Sequence, residues 1–112
     1  MNDDYQELSR YLQRLENALQ QLGWWSETPP AADAFESTAP FFHDRMTFEQ
    51  WLQWVFIPGF QTLIDAKAPF PEACGIAPMA EITWRKDTSE NVAALIDLMN
   101  EIDSWVSRQN RA

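Results

Sequence analysis

The chain holds one histidine, His43, and one cysteine, Cys74, so a Cys-His nucleophilic pair is the only thiol catalysis open to it. No residue is marked as the third, orienting group. A polar surface histidine and a small apolar thiol in a loop is therefore the weightier reading. One cysteine cannot close an intramolecular disulfide, and no His/Cys cluster has zinc spacing, which suits a reducing compartment. The patterns GxSxG, GxxxxGKS/T and GxGxxG are absent, and Gly23, Gly59 and Gly75 are too scattered to cradle a phosphate. Carboxylates are plentiful, but without a Glu-x-x-His pair a di-iron site lacks its ligands. The residue types thus point to no cofactor and no metal.

Two acidic positions stand out. In helical projection Asp103 falls among Val92, Ile96, Met99 and Val106, on the apolar side of a C-terminal helix. Burial there demands a partner, for which Arg10 or Arg14 on the first helix is available; a raised carboxylate pKa at a catalytic site is the sharper alternative, and exposure near a frayed helix end the plainer one. Asp97 and Glu101 form a like-charge pair one turn apart, with no Lys or Arg three or four residues from either. Such a ridge is either solvated or meets a basic partner and steers its approach.

Those side chains need a scaffold, and 112 residues make one domain spanning 1–112. Eight Lys and Arg against seventeen Asp and Glu give a net charge of −9, which disfavours direct binding to nucleic acid. With 46% apolar residues and three glycines a real core can form, at a radius of gyration of about 13 Å. The N-terminus MNDDYQELSR is acidic where a secretory signal would be basic and then apolar. The longest apolar run, Val55 to Phe60, is far short of the roughly 18 residues of a membrane span. The expectation is a soluble cytoplasmic protein with no membrane contact.

Apolar positions Tyr5, Leu8, Leu12, Leu15, Leu19 and Leu22 alternate spacings of three and four, which predicts an amphipathic helix over about 4–22. Asp3, Asp4 and Glu7 suit the positive end of its dipole, and Gly23 suits a left-handed C-terminal residue. Pro29-Pro30 leads into a short helical turn at about 31–35. Thr47 and Gln50 match a capping box, so a second helix begins near 48 and is kinked or broken at Pro58, after which GFQTLIDAK resumes helical spacing. Residues 68–78, with three prolines and a glycine, read as an extended crossing loop, and Pro78 as the start of a short turn. The last helix opens near Asp87 to Ser89, carries Val92, Leu95, Met99, Ile102 and Val106 on one face, and places Arg108 and Arg111 at its negative end.

The most informative stretch is APFFHDRMTFEQWLQWVFIPGFQTLIDAK, residues 39–67. Projected as one α-helix, Phe48, Trp51, Leu52, Val55 and Phe56 share a side, while Trp54, Ile57, Phe60 and Ile64 fall outside that arc. A central helix buried on all sides accounts for this without any function. An exposed aromatic patch is the rival, favoured by six tryptophans in so short a chain and by the enrichment of aromatics at interfaces.

The segments APFFHDRM, WLQWVFIP, LIDAKAPFP and IAPMAE, in this order and spacing, resemble the YqcC-like family of small bacterial proteins, once classed as a domain of unknown function. The likeness covers essentially the whole chain. It implies an all-helical bundle in the bacterial cytoplasm, often encoded beside a tRNA pseudouridine synthase, and brings no catalytic residues with it. The family's usual Arg after Ile-Pro is Gly59 here, so no role attaches to that basic side chain. Taken together, the expectation is an all-α, compact four-helix-type bundle whose first and last helices pack around a Trp-rich central helix. The function expected is a non-enzymatic accessory module, monomeric or homodimeric, that binds a protein partner such as a basic RNA-modifying enzyme. Phe41, Phe42, Asp44, Trp51, Gln53, Trp54 and Pro58 are the candidate contacts. The alternative is a small-ligand or enzyme pocket beside the same aromatics, with His43, Cys74 or Asp103 as polar participants.

Overall fold

Both long helices are delimited by residues that the sequence places at their ends. In the computed structural model, which describes residues 3–72 and 74–109, helix α1 spans Asp3–Gln21. It closes in a Schellman motif: Gly23, at φ 75°, donates to the Gln20 carbonyl at 3.0 Å, and the Trp24 N–H donates to the Leu19 carbonyl at 2.9 Å. The last helix, α5, spans Glu90–Gln109. Ser89 Oγ accepts the Val92 N–H at 3.3 Å ahead of its first turn, and Asp87 in turn accepts the Ser89 N–H at 3.0 Å. Between them lie two 3-10 turns (Ala32–Glu36 and Pro40–Phe42), α2 (Phe48–Trp51), a π-turn (Leu52–Phe56), α3 (Ile57–Ala66) and α4 (Ile76–Thr83). Among the described residues there is no strand, and no helix is long and apolar enough to cross a membrane.

The seams of the two long helices meet. Leu8, Leu12, Leu15 and Leu19 of α1 and Val92, Leu95, Met99, Ile102 and Val106 of α5 are all buried in one core with Phe48, Leu52, Phe56, Phe60, Ile76, Ala77, Ala80 and Trp84. Helix α1 packs on both α3 and α5, and α4 lies along α5. The radius of gyration is 14.1 Å, close to the value of about 13 Å expected for this length.

The central helix departs from the sequence-based expectation. The capping box forms in full, with the Gln50 N–H on Thr47 Oγ1 at 3.1 Å and the Thr47 N–H on Gln50 Oε1 at 2.9 Å. Of the kink or break expected at Pro58, the break does not occur, since the helix continues from Phe48 to Ala66. A proline lacks the N–H for the i−4 carbonyl and crowds that carbonyl with its ring. Here the chain widens by one residue just upstream, the Ile57 N–H reaching the Leu52 carbonyl, so Pro58 falls among the first residues of a new α segment.

The π-turn also resets which residues face inward. Four-residue steps in a regular α-helix drift by about 40° each, so Phe60 would lie about 120° from Phe48. Yet Phe48, Leu52, Phe56 and Phe60 are all buried, because the wider turn takes back part of the drift.

Two further expectations are corrected. The crossing segment ends at Gly75, and α4 starts at Ile76 with Pro78 already in its first turn. Glu101 is not part of an unpaired ridge, since Arg14 of α1 reaches it at 3.1 Å. Both partners are about half exposed, so the pair contributes little. Arg108 lies in the last turn of α5, while Arg111 falls outside the described residues.

Leu15, fully buried where the two seams meet, reports on this core. Leu15→Ala is expected to cost about 2–5 kcal/mol and to lower Tm by about 10 °C or more. A thermal melt followed by circular dichroism checks it, and a shift of a degree or two would be inconsistent with the packing described.

Candidate functional site

Along the outer side of the central helix runs an open apolar groove of about 440 Å³. One wall is the helix itself, through Trp51, Val55, Phe56, Gly59, Phe60 and Leu63; the other is the crossing loop, through Pro69, Phe70, Pro71 and Cys74. The loop wall is pinned from below. Tyr5 Oη donates to the Ala68 carbonyl at 2.8 Å, its ring stacks on Phe70 at 5.1 Å, and Phe70 meets Trp105 edge-on at 5.4 Å.

The helix wall is backed by a chain of rings. Phe56 packs on Phe60 at 4.8 Å and on Trp51 at 5.6 Å, Trp51 stacks on Phe48 at 5.8 Å, and Phe48 leads to Trp84 at 5.5 Å and on to Trp24 at 5.0 Å. The Trp84 indole N–H is held by Glu49 Oε1 at 2.7 Å. Phe41 stands edge-on to Trp51 at 4.9 Å and to Phe48 at 5.6 Å. To present that ring, Phe41 and the next residue Phe42 adopt φ of 55° and 54°, left-handed backbone that L side chains other than glycine rarely take. Strain of this kind, about 1–3 kcal/mol per residue, persists only where surrounding packing holds it.

The candidate contacts divide accordingly. Phe41 and Trp51 belong to the ring chain and are half-buried, as is Phe42. Asp44 is exposed: Ser37 Oγ donates to it at 2.5 Å, which, with Arg45 and His43 nearby, holds its carboxyl below the usual range. Arg45 also reaches Asp33 at 3.5 Å, so this acid is tied into a local turn. Pro58 is exposed on the helix. Trp54 is half-buried and lies outside the groove lining, and its indole N–H is shielded from solvent without an acceptor among the described residues.

Gln53 is corrected from a partner contact to an internal clamp. It is 6% exposed, its Oε1 accepts the Ser26 N–H at 2.8 Å, and its Nε2 donates to the Ser26 carbonyl at 2.5 Å. This bidentate bond ties the loop after α1 to the π-turn.

The polar participants of the alternative pocket are also placed. Asp103 is neither frayed nor paired with Arg10 or Arg14. Its carboxylate accepts the Ile76 N–H at 3.0 Å and the Ala77 N–H at 2.8 Å, capping α4 from another helix because Gly75 has no side chain to do so. Cys74 Sγ donates to the same carboxylate at 3.1 Å. Burial first, then this hydrogen bond and the negative charge behind it, push the Cys74 thiol far above its ordinary pKa. It stays protonated at neutral pH, the opposite of an activated nucleophile. His43 is exposed at the end of the Pro40–Phe42 turn, and no hydrogen bond or ion pair among the described residues joins it to Cys74. Nor do the described residues contain a cluster of three His, Cys, Asp or Glu able to hold a metal ion. The sequence offers a pocket beside the central aromatics as an alternative but does not show its second wall, because the loop is held by Tyr5 and Trp105, which no local pattern links to Phe70.

Fold and groove define a small helical bundle with one apolar channel along its central helix and no assembled catalytic group among the described residues. The chain belongs to the family DUF446, described as tRNA pseudouridine synthase C, whose profile matches residues 7–105. It is 39% identical over 87 residues to uncharacterized protein YqcC of Escherichia coli strain K12, covering 78% of this chain and 80% of that protein. The solution NMR structure of Escherichia coli YqcC superposes with a TM-score of 0.86 at 31% identity, over 99% of this chain and 94% of the other. A third relative, tRNA pseudouridine synthase C of Pectobacterium carotovorum, is 37% identical over 71 residues, which are 63% of this chain but 19% of that protein.

Two outcomes check these assignments. Gln53→Ala leaves both Ser26 backbone groups without their partner and is expected to cost about 1–3 kcal/mol with no other molecule present; an unchanged urea midpoint would return Gln53 to the list of surface contacts. Alkylation of the native Cys74 thiol by iodoacetamide is expected to be slow at neutral pH. In Asp103→Asn the rate–pH profile is expected to move to lower pH, since the charge that opposes the thiolate is gone.

Proposed function

We propose that this chain is a non-enzymatic accessory module that binds a tRNA pseudouridine synthase. The observation that carries the reading is the Pectobacterium relative: a segment like this chain makes up 19% of a protein named tRNA pseudouridine synthase C, leaving most of that protein outside the shared helical unit. A unit found within an enzyme's chain in Pectobacterium and as the small protein YqcC in Escherichia coli is suited to act on that enzyme by docking.

Charge supports it. An enzyme that handles tRNA neutralises phosphates with Lys and Arg, and this chain carries −9, so attraction favours their encounter while direct tRNA binding by this chain is disfavoured. With a tRNA-handling partner the chain works in the cytoplasm. Phe41, Phe42, Asp44, Trp51, Trp54 and Pro58 remain its proposed contacts, and Gln53 drops out as an internal clamp. One observation favours a second reading: about 440 Å³ is within the size range of small-molecule pockets, so an apolar ligand also fits the groove.

Isothermal titration of the purified chain with the tRNA pseudouridine synthase C of the same bacterium tests the proposal. A saturable complex, weakened on raising the salt concentration, is the expected outcome. No heat and no co-elution at low salt would overturn it.

A further inference from the structure

We infer that the groove centred on Gly59 is where an amphipathic helix of the synthase seats, with one bulky apolar side chain packed over the glycine. This rests on the function proposed above and adds the groove to its surface, Trp51 being the proposed contact that lines it. Trp51, Val55, Gly59 and Leu63 follow one another at four-residue steps, so the helix wall runs about 18 Å, the length of roughly three helical turns. At its middle the row loses its side chain. Among the described residues a Cβ on Gly59 would meet nothing within 4 Å, so a gap one side chain deep opens between Val55 and Leu63. Gaps of this shape are what knobs from a second helix fill.

The chemistry of the lining selects the form of the occupant. Apart from the Trp51 indole and the Cys74 thiol, which already donates to Asp103, the lining side chains are hydrocarbon. A β-extended segment would lay unpaired backbone groups over this apolar lining, whereas a helix satisfies its own. No strand edge exists among the described residues for a peptide to extend.

Charge selects its source. A second copy of this chain would bring −9 against −9, while a tRNA-binding enzyme brings the opposite sign. The loop wall itself is flanked by Lys67 and Glu72, both exposed, so the attraction arises from the whole body and the groove supplies the apolar contact.

The test uses three single variants of the full chain titrated against the synthase. Gly59 sits within a helix with ordinary negative φ, so Gly59→Ala and Gly59→Leu keep the fold and are expected to melt at or above the parent temperature. Gly59→Leu fills the gap and is expected to weaken binding about tenfold or more. Gln61→Leu, an exposed position on the same helix outside the groove, is expected to bind as the parent does. If the parent chain binds and Gly59→Leu binds equally well, the groove assignment fails and the accessory function stands. If the parent chain does not bind the synthase at all, both fail. Sedimentation of the parent chain alone as a dimer that Gly59→Leu makes monomeric would instead assign the groove to a second copy and overturn the inference.

Discussion

The wide turn at Leu52–Phe56 is the constraint on which the rest of the structure depends. Pro58 cannot continue a regular ladder, and a break there would divide the central helix into two short pieces, each too short to be stable alone. Inserting one residue into the turn keeps a single helical path and aligns Phe48, Leu52, Phe56 and Phe60 toward the core. With those four buried, Trp51, Val55, Gly59 and Leu63 form a parallel row on the outer side, and Phe56 and Phe60 are shared by core and groove. The core stripe and the groove are thus two faces of one accommodation.

How far the sequence reveals this depends on the range of the interactions involved. Helices α1 and α5 are legible because their signals are local: heptad-like apolar spacing, a glycine after the last leucine, and Ser89 and Glu90 before the first buried residue of α5. The Thr47/Gln50 capping box is legible for the same reason, since its two residues lie within one turn. The projection of residues 48–64 fails at Phe60 because it assumes a uniform helix, and no residue pattern announces a π-turn. Asp103 and Gln53 fail for a different reason. Their partners lie 26 and 27 residues away, and a carboxylate or an amide that serves a backbone has no complementary side chain to look for. The groove is legible as a region, beside the central aromatics, but not as a surface, because its second wall is held by α1 and α5.

The aromatic residues divide their work between these roles. The rings from Trp24 to Phe60 form a continuous stack behind the helix wall, and Tyr5, Phe70 and Trp105 form a second one beneath the loop wall. Neither wall depends on charge. Four ion pairs join side chains among the described residues, all with partly exposed partners, so the surface is free to carry a large negative excess while the interior geometry is set by packing.

The cap that Asp103 places on α4 carries a consequence for the order in which the chain is assembled. Eight residues are too few for a helix to persist alone in water, and α4 has no cap of its own because its N-terminal neighbour is Gly75. Its first turn is completed by a carboxylate synthesised 26 residues later, on α5. Until α5 has been made, the first turn of α4 lacks its cap, the Cys74 thiol lacks its acceptor, and Phe70 lacks its ring contact with Trp105.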